Sequence, residues 1–299
     1  SSVNDESHRY DGSEPVQVIE SIPVGGEHQI SARTIAAEGI PVPPDLILLP
    51  ELGRGGMGRI HPATDRNLLR HVALKRLDAK LSEVPMYRDG FIAEAQMTGQ
   101  LEHPNIVPVH ELRVGDNGVP YFTMKLVQGV DLEQWLSDPT RPPGSTERLE
   151  EGLEVFLKVC DAVAYAHHRG VIHRDLKPEN IMVADFGQVY LMDWGLARLS
   201  RSRPASGERA QMAAPGPVGS PAFMAPEQAR GNPADMDERS DVFGLGAVLY
   251  EIVTGQVPYG PAKGTLARAQ AGQVISAEQA AAFIGVGVYL PAEYGIDPT

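Results

Sequence analysis

The sequence predicts an α+β protein whose first half is rich in strands and whose second half is rich in helices. Short runs of apolar, β-favouring residues at 72–75 and 121–127 are typical of strands. Apolar residues recur at helical spacing in segments 149–168 and 241–254. A polar stretch at 173–180 separates these two helices. With 299 residues, 42% of them hydrophobic, the chain can form one large or two small domains with a buried core.

Composition restricts the expected partners and compartment. The 39 acidic residues outnumber the 26 basic ones, and no Lys/Arg run compensates locally, so nucleic acid is not expected as a partner. The single cysteine, Cys160, lies in a helical apolar pattern and is expected to be a small buried residue and not a reactive thiol. Without a disulfide framework, we expect a cytoplasmic protein. The longest apolar run, 280–290, is shorter than the roughly 20 residues that a membrane-spanning helix needs.

The first 44 residues are expected to form an irregular leader with one strand near 16–19. They are rich in Ser, Gly, Pro and Glu and end in a proline-rich run, and we assign them no chemistry. The sequence begins at Ser1 without Met or a signal peptide, so we expect a processed chain or a piece of a longer protein. A membrane anchor in such a parent stays open.

A glycine-rich turn follows, between Leu52 and Ile60. The pattern Gly-x-Gly-x-x-Gly is a weak signal by itself, because it also occurs in dinucleotide-binding folds and in ordinary turns. A dinucleotide-binding fold needs a helix directly after the glycines, whereas residues 59–63 continue as a strand and the next strand carries Lys75. No Gly-Lys-Ser/Thr follows, which excludes a P-loop. Glycines allow the backbone to approach phosphates closely, and a lysine on the next strand adds a positive charge.

The run 173–180, His-Arg-Asp-Leu-Lys-Pro-Glu-Asn, carries a dense set of polar groups. Asp175 can receive a proton, Lys177 is a cation and Asn180 offers an amide oxygen; together with Asp193 they are the groups that metal-assisted phosphoryl transfer requires. The alternative is a polar surface loop with Asp and Asn as turn formers. That alternative does not explain why Asp193 follows a hairpin-like segment that returns it towards Asn180, where two oxygen ligands can hold one hard cation.

This run resembles the catalytic loop of protein kinases, and residues 46–270 resemble the eukaryotic-like (Hanks-type) Ser/Thr protein kinases of bacteria. The resemblance implies the two-lobed protein-kinase fold, with a β-rich small lobe and an α-rich large lobe. Lys177, two places after Asp175, and the run Gly-Arg-Gly-Gly-Met-Gly favour Ser/Thr over Tyr substrates by the same resemblance.

The magnesium-binding triplet of that family occurs literally as Asp185-Phe186-Gly187, but we choose Asp193-Trp194-Gly195. The metal-binding Asp has to end a strand that returns antiparallel to Ile181-Met182-Val183, and only two residues separate Val183 from Phe186. Residues 189–192 read as that returning strand and deliver Asp193 at its end. Asp185 and Gly187 then occupy the turn, where their residue types are expected.

The resemblance also implies roles for individual residues. Asp175 orients the substrate hydroxyl and accepts its proton, and Lys177 stabilises the transferring phosphoryl group. Asn180 and Asp193 hold Mg²⁺. Lys75, paired with Glu94 of a helix predicted at 91–101, positions ATP. The ATP-binding residues implied are Leu52, Gly53, Gly55, Gly56, Gly58, Ile60, Ala73, Lys75, Lys125, Val127, Asp131 and Met182.

The segment from Asp193 to Glu227 resembles a kinase activation segment and is rich in Arg, Ser, Pro, Ala and Gly. We expect Arg174 to clamp a phosphate on the loop and so switch the enzyme on by autophosphorylation. The candidate phosphorylation sites are Ser200, Ser202 and Ser206. The alternative is a loop that carries no switch.

The apolar helix at 241–254 ends at Gly255 and is implied to be the central helix of the large lobe, with Asp241 bracing the backbone of the catalytic loop. After a helix at 265–270 the resemblance fades, so either the large lobe is incomplete at its C-terminus or its closure is unusual. We expect a leader (1–44), a small lobe (45–127), a large lobe (128–270) and an unassigned segment (271–299).

The function expected is therefore that of a protein Ser/Thr kinase that uses ATP and Mg²⁺ and acts on protein substrates. A dimer that autophosphorylates in trans is compatible with this expectation. One alternative is a nucleotide-binding pseudokinase, or an inactive truncated kinase, that acts as a scaffold. A small-molecule kinase is the second alternative, which the peptide-docking run at 219–227 weakens.

Overall fold

A computed structural model describes residues 45–54, 58–200, 217, 219–232, 234–260, 263–277 and 279–280. The strand expected near 16–19 lies outside these residues. Within them, no helix combines the length and the apolar character needed to cross a membrane.

The strands are β1 (Leu46–Leu48), β2 (Gly53–Arg54), β3 (Gly58–Asp65), β4 (Arg70–Leu77), β5 (Val109–Val114), β6 (Pro120–Lys125), β7 (Gly129–Asp131), β8 (Val171–Ile172), β9 (Ile181–Ala184), β10 (Gln188–Leu191) and β11 (Arg198–Leu199). The helices are α1 (Ala79–Ser82), α2 (Pro85–Thr98), α3 (Leu132–Leu136), α4 (Thr146–His168), α5 (Pro226–Arg230), α6 (Glu238–Thr254) and α7 (Thr265–Ala271). Strands dominate up to β7 and helices after it, as the sequence predicts.

The first lobe is an antiparallel sheet in the order β1-β3-β4-β6-β5, with β2 paired to β3. Ile60 lies opposite Lys75 in the β3–β4 pair, so both side chains face the same side of the sheet. On the α2 helix, Phe91 packs against Phe122 of β6 with ring centroids 5.2 Å apart. The α2 helix and the strand that carries Lys75 therefore share one apolar core.

The α2 helix begins at Pro85, ahead of its predicted start at 91, and ends at Thr98. Proline suits the first helical position because its fixed φ is helical and its missing N–H would have no partner there. Gly90 lies inside the helix, although it is a weak helix former.

The large-lobe core lies between α4 and α6. Ser145 caps α4, since its Oγ accepts a hydrogen bond from Arg148 N at 3.3 Å. Gly255, with φ +66°, ends α6 at the position that the sequence predicts. Apolar residues of both helices pack with α3, the loop residue Leu176 and the β9–β10 hairpin into one cluster.

The hairpin on which the choice between Asp185 and Asp193 as the predicted metal ligand depends is present. Strands β9 and β10 pair antiparallel from Ala184–Gln188 to Ile181–Leu191, which confirms the predicted returning strand. The turn between them is Asp185–Gly187, where Phe186 has φ +58° and is 99% exposed. The literal triplet is thus a solvent-facing turn.

The α7 helix closes the described part of the large lobe against α5. Arg230 Nε donates to Gln270 O at 3.0 Å, and Gln270 Nε2 donates to Ala229 O at 3.1 Å. Tyr259 is buried beneath this pair and its hydroxyl donates to Met224 O at 3.0 Å.

Candidate active site

The first half of the site is an ion pair between β4 and α2. Lys75 Nζ lies 2.5 Å from Glu94 Oε1 and 3.4 Å from Asp193 Oδ1. Both Lys75 and Glu94 are buried, so each charge depends on the other for compensation. The second oxygen of Glu94, Oε2, is buried without a hydrogen-bond partner.

Burial by itself would lower the pKa of Lys75, but the nearby carboxylates of Glu94 and Asp193 outweigh it and raise that pKa. Partial loss of water around the Asp193 carboxylate likewise acts to raise its pKa, and the positive charge of Lys75 reverses this and lowers it. Lys75 is therefore a cation and Asp193 an anion at neutral pH. Two charges of opposite sign meet where β4 and the end of the hairpin approach each other.

The catalytic loop begins with a backbone that Asp241 holds in place. Asp241 Oδ2 accepts from His173 N and Oδ1 accepts from Arg174 N, each at 2.8 Å. The bracing role expected for Asp241 is confirmed. Arg174 has φ +70°, a left-handed conformation that costs about 1–3 kcal/mol for a residue other than Gly and persists only when neighbours hold it.

The His173 ring fixes the loop to the hairpin. Its Nδ1 accepts a hydrogen bond from Asp175 N at 3.2 Å, so its Nε2 carries the proton that is donated to Met192 O at 3.1 Å. This orientation ties the backbone of Asp175 to the residue that precedes Asp193.

Both carboxylate oxygens of Asp175 are oriented by neighbours. Ser220 N donates to Oδ1 at 3.0 Å, and Asn180 Nδ2 donates to Oδ2 at 3.1 Å. Lys177 Nζ lies 3.5 Å from the same Oδ2 and donates to Ser220 Oγ at 2.9 Å. The four side chains form a compact group with a carboxylate that can accept a proton and a cation beside it.

Asp193, and not Asp185, lies on the segment that is hydrogen-bonded to the Asp175 group. The neighbouring residue Met192 donates its N–H to Asn180 O at 2.8 Å, which brings the end of β10 beside Asn180. Trp194 is buried, and its ring meets the His173 ring edge-on at a centroid distance of 4.6 Å. The buried tryptophan anchors the backbone next to Asp193, whereas Asp185 lies in the exposed hairpin turn.

The residues present fit the magnesium ion that the resemblance implies. Asn180 points its amide nitrogen at Asp175, which turns its amide oxygen away from that carboxylate. The Asp193 side chain is 52% exposed, so its carboxylate is accessible to a cation. The Asn180–Asp193 pair is a different kind of site from a cluster of His, Cys, Asp or Glu side chains: among the described residues, no three or more such side chains are grouped so that they could hold a metal ion. An amide and a carboxylate oxygen suit Mg²⁺, which completes its shell with water and substrate phosphates.

The predicted nucleotide-binding residues lie on the sheet and along the connection between the lobes. Ile60, Ala73 and Lys75 share one face of β3 and β4, Gly53 pairs with Ile60, and Leu52 is exposed. A Cβ on Gly58 would lie 2.1 Å from Arg76 O, so this glycine permits the close approach of two strands. Gly55 and Gly56 lie outside the described residues.

The remaining predicted nucleotide-binding residues lie in or next to β6, β7 and β9. Val127 packs against the small-lobe core, and Asp131 lies opposite Met182. Asp131 Oδ1 accepts from Gln134 N at 2.8 Å and so caps α3. Lys125 Nζ lies 4.8 Å from the centroid of the Tyr190 ring.

The predicted regulatory residues are partly described. Arg174 is buried, and its Nε has no hydrogen-bond partner. Burial lowers the pKa of Arg174, and the nearby charge of Arg198 lowers it further. Ser200 is also buried, and its hydroxyl donates to Glu238 Oε1. Ser202 and Ser206 lie outside the described residues.

Three structural residues of the site have no assigned role in the sequence analysis. Ser220 joins Lys177 to Asp175, His167 contacts Asp241, and Arg148 binds the end of α6. Ser220 follows Gly219, whose φ is +117°, and the Gly-Ser-Pro run was the one signal that could have indicated a turn facing the catalytic loop.

Comparison with known proteins gives consistent matches. A family model described as the protein kinase domain matches residues 47–283. The serine/threonine-protein kinase PknD of Protochlamydia amoebophila (strain UWE25) is 36% identical over 251 residues, which cover 76% of this chain and 25% of that protein.

Proteins of the same name from two further species are also similar. The one from Chlamydia muridarum is 36% identical over 235 residues, covering 71% of this chain and 25% of its own length. The one from Chlamydia felis is 37% identical over 231 residues, covering 71% and 24%. The chain thus spans about a quarter of the length of the curated relatives it matches.

Proposed function

The chain belongs to the protein kinase family, among the bacterial eukaryotic-like (Hanks-type) Ser/Thr kinases, and on this premise we propose that it transfers the γ-phosphoryl group of ATP to Ser and Thr hydroxyls of proteins. One observation carries the proposal. The ion pair of Lys75 with Glu94 reaches Asp193, and Asp193 follows the strand end that is hydrogen-bonded to Asn180 of the Asp175 group. The groups that we propose to position phosphate, bind the metal and accept the proton are therefore joined by one continuous set of contacts.

In this proposal Asp175 receives the proton of the attacking hydroxyl, and the donors Ser220 N and Asn180 Nδ2 keep its carboxylate oriented. Lys177 presents its charge to the transferring phosphoryl oxygens, while Lys75 binds phosphate oxygens of the nucleotide. Asn180 and Asp193 would hold Mg²⁺, which supplies charge neutralisation at the phosphates when bound.

The test compares Mg²⁺-ATP-dependent phosphorylation by the wild type with that by Asp175→Asn, Asp193→Ala and Asp185→Ala, read out by intact mass on the chain and on a generic basic protein. Asp175→Asn is expected to lower the rate about 10²- to 10⁴-fold. Asp193→Ala should abolish transfer, whereas Asp185→Ala, a matched change in the exposed turn, should keep it. Nucleotide binding without transfer by the wild type would contradict the proposal.

We further propose that phosphorylation of the segment after β11 activates the enzyme. The buried Arg174 guanidinium, with its unpartnered Nε and with Arg198 nearby, supports a phosphate there, because a phosphate would relieve the repulsion between two cations. Ser200 would first have to leave Glu238, so Ser202 and Ser206 are the better candidates. Peptide mapping of an active preparation is the test: a phosphate-free loop in fully active protein would overturn this proposal.

Protein substrates, trans-autophosphorylation in a dimer and a cytoplasmic location complete the proposed function. The lone Cys160 supports a reducing compartment. If autophosphorylation proceeds in trans, its initial rate per molecule rises with protein concentration; a rate independent of concentration would indicate reaction within one chain.

A further inference from the structure

His167 links the end of α4 to the start of α6. Its Nε2 lies 2.8 Å from Asp241 Oδ2, across 74 residues of sequence. Asp241 is 1% exposed, so this carboxylate depends on protein donors for its solvation. Because a carboxylate oxygen accepts, the Nε2 of His167 carries the proton and donates.

The same carboxylate holds the catalytic loop. Asp241 Oδ2 receives His173 N as well as His167 Nε2, and Oδ1 receives Arg174 N, all at 2.8 Å. Three donors from two elements therefore fix both the position and the plane of one buried carboxylate. Of these donors, His167 contributes the one side chain.

The backbone that Asp241 holds is strained and lies directly before the proton acceptor. Arg174 has φ +70°, and its carbonyl oxygen accepts a hydrogen bond from Gln228 Nε2. A residue whose N–H and C=O groups are both held by hydrogen bonds can maintain this conformation. Asp175 follows it immediately, so a rotation of the Asp241 carboxylate would displace the groups that aim the Asp175 side chain.

We propose that His167 is a positioning residue of the phosphoryl-transfer reaction, acting through Asp241 on the backbone of His173 and Arg174. In this role His167 does not contact the substrate. Its imidazole fixes the plane of the Asp241 carboxylate, which holds the catalytic loop. This inference rests on the proposed kinase function for its kinetic readout, but its structural readout does not.

The experiment compares His167→Gln, His167→Met and His168→Met. Glutamine retains an N–H donor near the position of Nε2, methionine has similar length without a donor, and His168 is the exposed neighbour that serves as the matched control. We measure kcat, the KM for ATP and amide hydrogen exchange of a peptide that spans residues 171–176, with thermal unfolding as a check on folding.

We expect His167→Met to lower kcat about tenfold with little change in the KM for ATP, since small displacements of a reacting group cost rate more than binding. Exchange of the His173 and Arg174 amides should accelerate in the same variant. His167→Gln should restore most of both properties, and His168→Met should match the wild type.

An unchanged kcat and unchanged exchange in His167→Met would overturn the inference, as would a glutamine variant as impaired as the methionine variant at equal thermal stability. If the wild type transfers no phosphate, the kinase proposal fails while the exchange measurement still decides the role of His167. Accelerated exchange confined to residues 173–174 supports the role; exchange that rises equally throughout α4 contradicts it.

Discussion

Lys177 Nζ donates to the hydroxyl of Ser220 at 2.9 Å, which joins the catalytic loop to the run 219–227. The backbone N–H of the same serine donates to Asp175 Oδ1 at 3.0 Å. One residue therefore orients both the proposed proton acceptor and the proposed phosphoryl-binding cation.

Ser220→Ala should lower kcat roughly tenfold or more, because a hydrogen bond to a charged group contributes about 1.5–3 kcal/mol. Ser220→Thr keeps the hydroxyl and should retain most of the activity. Steady-state kinetics with a protein substrate measure the effect. Equal activity in the alanine and threonine variants would show that the Lys177–Ser220 bond does not matter for the rate.

Breaking the Lys75–Glu94 pair should destabilise the chain. Lys75→Met leaves the buried Glu94 carboxylate without its main partner, which costs about 3–5 kcal/mol for a buried pair. The double variant Lys75→Met/Glu94→Met should lose less than the sum of the single losses. Urea unfolding measures this cycle, and Arg70→Met, which breaks the more exposed Arg70–Asp65 pair, should cost at most about 1 kcal/mol. Additive losses would contradict the pairing.

Arg148 should be essential for stability. Its guanidinium is buried and donates to Ile252 O at 2.9 Å and Glu251 O at 3.0 Å, carbonyl groups in the last turn of α6, and to Leu136 O at 2.7 Å. Arg148→Met leaves these carbonyls unsatisfied, and we expect a loss of about 3 kcal/mol or more.

Arg148→Lys should recover little of this stability, because an ammonium group cannot reproduce the planar fork of donors. The urea midpoint measures both variants, and Arg169→Met, at the exposed end of α4, is the control. A lysine variant as stable as the wild type would disprove the role of the fork.

The stability of the chain should depend on pH through Glu251. Burial, and then the carboxylates of Glu179 and Glu133, raise the pKa of Glu251 from 4.5 to about 7. Between these two values the unfolded chain releases the proton and the folded chain keeps it. The folded state therefore loses stability as pH rises, by about 1–3 kcal/mol in total.

Glu251→Gln removes this dependence. The variant should match the wild type below pH 4.5 and be more stable above about pH 7. Urea unfolding across this pH range gives the comparison, and Glu154→Gln on the exposed face of α4 is the matched change. A pH-independent difference between Glu251→Gln and the wild type would contradict the raised pKa.

Local spacing was enough to predict the hairpin that brings Asp193 to the end of the returning strand. Too few residues separate Val183 from Phe186 for a returning strand, and the apolar run 189–192 supplies one. The bracing by Asp241 and the Lys75–Glu94 pair could be predicted from motif positions. The roles of the individual site residues, and the division of the lobes at 127, stay predictions.

Long-range contacts explain what the sequence could not predict. Ser220 lies 43 residues from Lys177, and Arg148 lies 104 residues from Ile252. Serine and arginine have many ordinary roles, so neither type identifies its partner. For the same reason Ser200, a predicted phosphorylation site, could not be predicted to have its hydroxyl buried against Glu238.

The burial of Trp194 beside Asp193 gives the chain an intrinsic fluorescent reporter. Its two tryptophans are Trp135, which lies under the Arg141 guanidinium, and Trp194. A Trp135→Phe chain would emit from one indole, which is buried in the large-lobe core one residue from the proposed metal ligand. Shifts of its emission would follow the loading of Mg²⁺ and nucleotide in real time, without a dye or a coupled assay.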